Sequence, residues 1–273
     1  MSQDQRVSNN RGVALIIVLL VTALLIALIF EFAYGTRVSL RAAVNFRNSQ
    51  RAYFLARSGF GVFARFPELI GYIPQGEWGV VPYVSEGDRE LKVRWEDESG
   101  KLDISRVIAT PTDPGFNRLV PLFFNRGVNQ KVLNDISDWM TAQHVNRFYL
   151  LSDLHQFMSD EEFGKVQDAL TVSQVTKINV NTASVDVLKS IFPNNVGKTA
   201  EIAEKRKTEP FTDATLTTYL NTNGLSNLAS SLTTTSNVFK VSSYATVGGY
   251  TKQIDAIITL GGAGYTPNYW RAL

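Results

Sequence analysis

The chain has 273 residues, with 27 basic and 25 acidic side chains and a formal net charge of +2. This balance favours neither nucleic acid nor an acidic substrate as a partner. Cysteine is absent, which excludes disulfide bonds, thiolate zinc sites and cysteine nucleophiles. His144 and His155 are the only imidazoles, so the commonest general base and metal ligand is scarce and most catalytic templates cannot be assembled.

An uncharged segment near the amino terminus is long enough to cross a membrane. Polar residues 1–12 precede Val13–Phe30, eighteen residues in which Thr22 is the only polar side chain. The segment fits a cleaved secretory signal, an ordinary anchor or a prepilin signal. A secretory signal has a shorter apolar region and a small-x-small cleavage site, which Ala33-Tyr34-Gly35 matches loosely. A basic residue and a glycine directly before the segment favour a prepilin signal, cleaved between Gly12 and Val13.

The pattern of apolar residues predicts that the same helix continues outside the membrane. Residues 31–66 contain no proline and carry large apolar side chains at helical intervals, and Pro67 is expected to end the helix. We therefore predict a cleaved cytoplasmic leader at 1–12, a transmembrane part at 13–33 and a periplasmic part at 34–66.

The arginines around the apolar segment favour the opposite orientation if they are considered alone. Arg6 and Arg11 precede the segment, whereas Arg37, Arg41, Arg47, Arg51 and Arg57 are among the arginines that follow it. The prepilin pattern implies a cytoplasmic amino terminus and takes precedence. We interpret the five arginines as the solvated face of a helix.

Alternating side chains after the helix predict a pair of strands. Leu91, Val93 and Trp95 share one face, and charged residues occupy the positions between them. The polar run 96–101 is typical of a turn, so 102–107 is expected to return as the partner strand. We assign residues 67–115 to the first part of a sheet.

The apolar period lengthens to three or four residues between about Asn117 and Leu232, which predicts helices. One stripe, interpreted as core, consists of Val132, Leu133, Ile136 and Met140. Alternation returns at 239–246, and Gly248-Gly249 predicts a hairpin with 250–260. The predicted fold class is α+β: a long N-terminal helix and an antiparallel sheet, completed by residues 236–273 and interrupted by a helical insertion at 116–235. Two separate sheets are the alternative.

Two segments have features of phosphate-binding motifs. Gly197-Lys198-Thr199 is similar to the end of a phosphate-binding loop, but Phe192 stands where that loop needs a glycine. Residues 181–207 predict two helices joined by a short turn, with basic side chains behind it, and resemble a helix-hairpin-helix of DNA-binding proteins. Because the chain is nearly neutral, we favour a hairpin used for packing. A membrane-tethered DNA-binding or uptake module is the alternative.

Four segments carry a resemblance to a known family, which extends over most of the chain. They are the apolar run with its leader (11–30), the turn segment Glu96-Asp97-Glu98-Ser99-Gly100-Lys101-Leu102, the helix around Val132–Trp139, and the asparagine segment Ile178-Asn179-Val180-Asn181-Thr182-Ala183-Ser184, the most specific of the four. In these segments the sequence resembles the minor pseudopilin K family of the bacterial type II secretion system. The resemblance implies a pilin fold with a large helical insertion, and a subunit that caps the tip of the pseudopilus and primes its assembly.

The resemblance extends to a glutamate that most pilins have and that this sequence lacks. Most pilins have glutamate at the fifth residue of the mature chain, whereas this sequence has Ile17 there, as the K family also lacks the glutamate. An unpartnered carboxylate in lipid is costly, so its absence suits a subunit with no neighbour above it. An ordinary anchor would also lack it, and a minor subunit of a type IV pilus is a further alternative.

The resemblance further implies partners and a location. The partners are the other minor pseudopilins of the tip, the prepilin peptidase, the inner-membrane assembly platform and the lipid bilayer, and nucleic acid is disfavoured. The protein would cross the bacterial inner membrane once, with its amino terminus in the cytoplasm and its C-terminal domain in the periplasm.

The sequence predicts neither a cofactor nor an enzyme activity. Some family members bind calcium after the motif that contains Asp138 here, but residues 140–144 include no carboxylate, and calcium usually takes several. We therefore expect no metal, with Asp138 as a weak calcium candidate. Neighbouring acidic residues at 160–162 do not face a common point on a helix, and no nucleophile with a base can be assembled from the linear sequence.

Overall fold

A single long helix forms the amino-terminal part of the chain. The computed structural model describes residues 10–65, 79–261 and 264–273. Helix α1 runs from Asn10 to Arg65, and within these ranges it is the one helix long and apolar enough to cross a membrane. This agrees with the predicted anchor. The expected helix end at Pro67 and residues 1–9 of the expected leader lie outside the described residues.

The chain divides into two compact units, Met1–Arg51 and Ala52–Leu273. In the first unit the large apolar side chains of the membrane-length segment are all exposed, from Val13 to Phe30. The arginines that follow them in this unit, from Arg37 to Arg51, are exposed as well. Both observations are compatible with a helix whose apolar part lies in a membrane and whose basic residues are solvated.

The second unit contains strands, seven-residue to thirteen-residue helices and short 3-10 turns. In chain order its elements after α1 are β1 (Gly79–Glu86), β2 (Arg89–Asp97), β3 (Leu102–Asp103), α2 (Pro114–Asn125), α3 (Lys131–Ala142), α4 (Asp160–Val166), β4 (Leu170–Thr171), β5 (Ile178–Asn179), α5 (Val185–Ile191), α6 (Val196–Thr208), α7 (Asp213–Thr222), β6 (Leu232–Thr233), β7 (Val238–Val247), β8 (Tyr250–Gly261) and β9 (Gly264–Ala272). The 3-10 turns are at 151–156, 167–169 and 226–231. We call the part from β3 to β6 the helical segment.

Five antiparallel strands form the main sheet, in the order β1-β2-β7-β8-β9. Strands from before and after the helical segment are direct neighbours, since Trp95 of β2 pairs with Val241 of β7. The predicted α+β fold with an interrupted sheet is therefore confirmed, and the alternative of two separate sheets for these strands is wrong.

One face of the sheet packs against the last turns of α1. Leu91, Val93 and Trp95 are buried, as their alternation predicted. The ring of Phe63 lies 5.8 Å from that of Trp95 in an aromatic cluster. Close approach of helix and sheet requires a glycine, because a Cβ at Gly59 would collide with the side chain of Ser243.

The predicted hairpin connects β7 and β8. Val247 pairs with Tyr250, and the two residues between them are Gly248 and Gly249 with φ of 56° and 82°. Two consecutive positive φ angles define the type I′ turn that matches the twist of a hairpin, and glycine adopts them without a steric penalty.

The prediction that 102–107 returns as the partner of the first strand is wrong. Leu102–Asp103 forms a short parallel pair with Leu170–Thr171 instead. Both edges of β2 are already occupied by β1 and β7. The apolar residues Leu102, Ile104 and Val107 are buried in the core of the helical segment, which is the physical reason for the different path.

The helical segment has its own apolar core, which extends from Leu102 to Leu232 along the chain. The predicted stripe on α3 is buried in it. Helix starts are defined by capping: Asp113 caps α2 before Pro114, and Ser159 forms a capping box with Glu162 at α4. The packing of this segment therefore does not depend on the sheet for its apolar burial.

Candidate functional site at the junction of sheet and helical segment

The residues expected to define processing lie on α1. A Cβ built at Gly12 would meet no other described part of the protein within 4 Å. Val13 and Ile17 are exposed. The peptide bond between Gly12 and Val13 is thus not covered by the rest of the described chain. Cleavage there, and the role of Ile17, stay predictions.

The turn segment (96–102) is a turn, as predicted, but its charged side chains are buried. The ammonium of Lys101 lies 3.0 Å from Oε1 of Glu96 and 2.7 Å from Oε1 of Glu98. Burial lowers the pKa of Lys101, whereas the carboxylates of Glu98 and Glu96 raise it by more, so the net shift is upward. The lysine therefore stays charged and neutralises part of the charge of two buried carboxylates.

A third buried carboxylate of this segment, that of Asp97, joins three parts of the chain. Oδ1 of Asp97 accepts a hydrogen bond of 2.7 Å from the backbone of Ser99. Oδ2 accepts from the hydroxyl of Ser236, which in turn accepts from the amide of Asn179 at 2.6 Å. Burial raises the pKa of Asp97 above its ordinary 3.8, and the hydrogen bonds from Ser236 and Ser99 offset only part of that rise.

Gly100 allows the turn segment and the asparagine segment (178–184) to touch. A Cβ at Gly100 would lie 2.8 Å from Oγ1 of Thr182 and 2.9 Å from the backbone nitrogen of Ala183. The backbone N–H of Asn179 donates to the carbonyl of Ser99 at 2.9 Å beside this contact. Two of the four segments that carried the family resemblance are therefore packed directly on each other.

The asparagine segment also organises the end of the helical segment. The amide of Asn181 donates to the carbonyls of Phe211 and Thr234, at 2.9 and 3.1 Å, and its oxygen accepts from the N–H of Phe211. The guanidinium of Arg206 donates to the carbonyls of Val180 and Ala183, both at 2.6 Å. Each side chain satisfies backbone groups that would otherwise be buried without partners.

We call the contacts of the turn segment and the asparagine segment with each other, with Arg206 and with Ser236 the junction. Its charged and polar groups bond to one another, an arrangement that fixes the helical segment to the ends of β2 and β7. Sequence reasoning did not find Ser236, for which no local pattern exists. It grouped Arg206 with the other basic side chains behind the turn, although its spacing of four from the apolar Ile202 was a signal that Arg206 faces inward.

The two helices predicted within 181–207 and joined by a short turn are present as α5 and α6, but the basic side chains behind the turn contact the protein itself. Lys198 and Lys207 pair with glutamates of the same helix at 2.8 and 2.6 Å. Lys205 lies 5.0 Å from the ring centre of Phe211. Arg206 is buried in the junction. The geometry favours a hairpin used for packing over one that binds phosphate.

The calcium candidate lies apart from other carboxylates that could share an ion. Asp138 is exposed on α3, and Asp135, one turn before it, pairs with Lys131 at 2.7 Å. Within the described ranges, no group of three or more histidine, aspartate or glutamate side chains could hold a metal ion. Calcium usually needs more oxygen ligands than this position offers.

Comparison with known proteins identifies the fold. No protein-family model and no curated protein matches the sequence. Among solved structures, a chain of the crystal structure of the GspK-GspI-GspJ complex from the type 2 secretion system of enterotoxigenic Escherichia coli matches with a TM-score of 0.54 and 14% identity, covering 87% of this chain and 99% of that chain. At this identity the likeness concerns the fold. The fold expected from the family resemblance is therefore confirmed, and the chain shares it with a chain of that pseudopilin complex.

Proposed function

We propose that this protein is a minor pseudopilin, a structural subunit at the tip of a type II secretion pseudopilus. It would cap the filament and prime its assembly for the export of folded proteins across the outer membrane. The fold shared with a chain of the GspK-GspI-GspJ complex is the observation that carries the proposal. The membrane-length helix at the amino terminus supports it independently.

The surface of α1 beyond the apolar run also favours assembly. Leu40 and Phe46 are 63% and 67% exposed in the part of α1 that we expect outside the membrane. Large apolar side chains that are left uncovered there are available to partner subunits. The other minor pseudopilins of the tip are the proposed partners, and the assembly platform of the inner membrane would insert the subunit.

The proposed location follows from the prepilin pattern. The leader would face the cytoplasm, where a prepilin peptidase cuts after Gly12, and the C-terminal domain would lie in the periplasm. We further propose a structural role without catalysis, in keeping with the fold shared with a chain of the pseudopilin complex.

Intact mass of the protein produced with and without a prepilin peptidase tests the proposal. We expect a product that begins at Val13 only when the peptidase is present. The variant Gly12→Val, which removes the glycine before the cut, should stay full length in both samples. An unchanged mass of the natural chain with active peptidase would refute the prepilin interpretation and leave an ordinary anchor.

Pull-down separates the secretion system from a type IV pilus. Full-length protein in detergent should retain the minor pseudopilins of its own secretion operon, and retention of minor pilins instead would favour the pilus. A filter-binding assay with duplex DNA at two salt concentrations tests the DNA alternative. Phosphate contacts would give binding that falls steeply with salt, and we expect no such binding.

A further inference from the structure

A pocket with a polar lining opens between the loop 173–177 and the residues that lead into β7. Its volume is about 370 Å³, and the ends of β8 and β9 contribute Thr259 and Asn268 to it. Small-molecule sites in proteins have volumes of about 300–1,000 Å³. Val175 and Val238 are the apolar residues of the described lining, and the others carry hydroxyl, amide or ammonium groups. We call it the polar pocket.

The loop on one side of the polar pocket is held in a fixed conformation by Asp103. Burial raises the pKa of the Asp103 carboxyl above its ordinary 3.8, and hydrogen bonds from Ser105 and from the backbone of Val175 and Gln174 offset part of that rise. Gln174 has a positive φ of 59°, a conformation that costs free energy for a residue with a side chain. The contacts of Asp103 therefore maintain a backbone that places Gln174 at the pocket.

Four exposed side chains at the pocket have hydrogen-bonding groups that the protein itself does not use. Within the described ranges, the side chains of Gln174, Thr176, Lys177 and Asn237 form no hydrogen bond or ion pair with the rest of the chain. They come from two separate stretches of the sequence and meet at one concave surface. A solute that enters the pocket can therefore replace several bound waters with direct hydrogen bonds.

The charge at the pocket is a single cation. Of the described side chains that line it, Lys177 alone is charged. Asp97 and Asp103 bond to the lining residues Ser99 and Gln174, but these carboxylates accept hydrogen bonds inside the protein and do not line the pocket. A lining without carboxylates does not suit a metal ion or a cationic ligand, and one ammonium group matches one negative charge.

The neutral groups of the lining indicate the class of ligand. Amide and hydroxyl side chains both donate and accept hydrogen bonds, so they match a ligand whose own groups do both. The hydroxyls of a sugar ring have this property, whereas phosphate oxygens only accept and bring more charge than one lysine neutralises. A peptide anchored by a large side chain needs a wider apolar recess than two valines provide, but Val175 and Val238 can contact the C–H groups of a sugar ring.

We propose that the polar pocket binds a short oligosaccharide that carries one carboxylate. Gln174, Thr176 and Asn237 hydrogen-bond to its hydroxyls, and the ammonium of Lys177 pairs with the carboxylate. The neutral contacts provide most of the affinity, and the lysine selects the acidic sugar. The proposal does not depend on the assembly role, because none of these residues belongs to α1.

The test uses saturation-transfer difference NMR on the full-length protein in nanodiscs of neutral phosphatidylcholine. The probe is cellobiouronic acid, a disaccharide with one carboxylate, and cellobiose is its neutral match. We expect both to bind, the acid about threefold to fivefold tighter, because an exposed ion pair contributes little. High salt should remove that preference. Glutarate, which has carboxylates but no hydroxyls, should not compete, and empty nanodiscs correct for binding to lipid.

Matched variants locate the binding. Gln174→Gly, in which glycine tolerates the positive φ, and Asn237→Ala should each weaken both disaccharides about fivefold through lost hydrogen bonds. Lys177→Gln should leave cellobiose unchanged and remove the preference for the acid. Gln143→Gly is the control, because Gln143 is exposed and does not line the pocket.

Circular dichroism checks that all four variants are folded. Absence of binding of both disaccharides, or competition by glutarate as strong as by cellobiouronic acid, would overturn the proposal. Equal affinity for cellobiose and the acid in the natural chain, or an equal loss in Gln143→Gly and Gln174→Gly, would overturn it as well.

Discussion

Replacing Gly100 by alanine should destabilise the second unit by about 2 kcal/mol. The added Cβ would lie 2.8 Å from Oγ1 of Thr182 and 2.9 Å from two backbone atoms, the carbonyl carbon of Thr182 and the nitrogen of Ala183. Overpacking of a tight core costs about 1–3 kcal/mol, here at the upper end because backbone atoms cannot rotate away. Because φ of Gly100 is not positive, alanine can adopt the same backbone conformation there. Alanine also lowers the chain entropy of the unfolded state, which offsets less than about 1 kcal/mol of the loss in stability.

Urea unfolding of the full-length protein in detergent, followed by tryptophan fluorescence, measures this loss. Gly61→Ala is the matched control, because a Cβ at this helical glycine meets nothing within 4 Å and should raise stability by up to about 1 kcal/mol. Adding Thr182→Ala to Gly100→Ala removes one of the three close contacts and should restore only a minor part of the loss. Equal stability of Gly100→Ala and Gly61→Ala, or full rescue by Thr182→Ala, would refute the steric argument.

Three further predictions concern the charged groups. Lys101→Met should cost about 3–5 kcal/mol in unfolding free energy at neutral pH, because it leaves Glu96 and Glu98 buried without a cation. Burial raises the pKa of Asp97 in the folded protein, so its contribution to stability is present below its ordinary 3.8 and is lost as pH rises through the raised value. Asp97→Asn should therefore gain stability relative to the natural chain as pH rises above 3.8. Calcium should change neither the melting temperature nor the heat signal in titration calorimetry, and a calcium-dependent shift abolished by substitution of Asp138 would contradict this.

Local patterns were sufficient for the elements whose partners are close in sequence and for the long apolar helix. The uncharged run from Val13 to Phe30 is long enough to cross a bilayer, and it forms part of one continuous helix. The alternation at Leu91, Val93 and Trp95 and the glycine pair at 248–249 define a strand and a hairpin without any long-range information.

Long-range partners explain what sequence reasoning missed. Residues 102–107 have a strand-like pattern, but whether they pair with β2 depends on β7, which is more than a hundred residues away. The polar residues of the turn segment give no local signal of burial, since Asn179 and Ser236 cover them from distant positions. The pattern of polar residues shows which side chains can be solvated. It does not show which of them are buried by residues that are distant in the sequence.

The position of the helical segment between β2 and β7 has a consequence for the order of folding. Ser99 and Val238, which hydrogen-bond to each other where the two strands meet, are 139 residues apart. Closing a flexible loop of that length costs about 4 kcal/mol in chain entropy. Short parallel pairs inside the segment, β3 with β4 and β5 with β6, draw its two ends together before the strands meet. We therefore expect the helical segment to form first, and mutations in its core to slow the closure of a sheet that they do not touch.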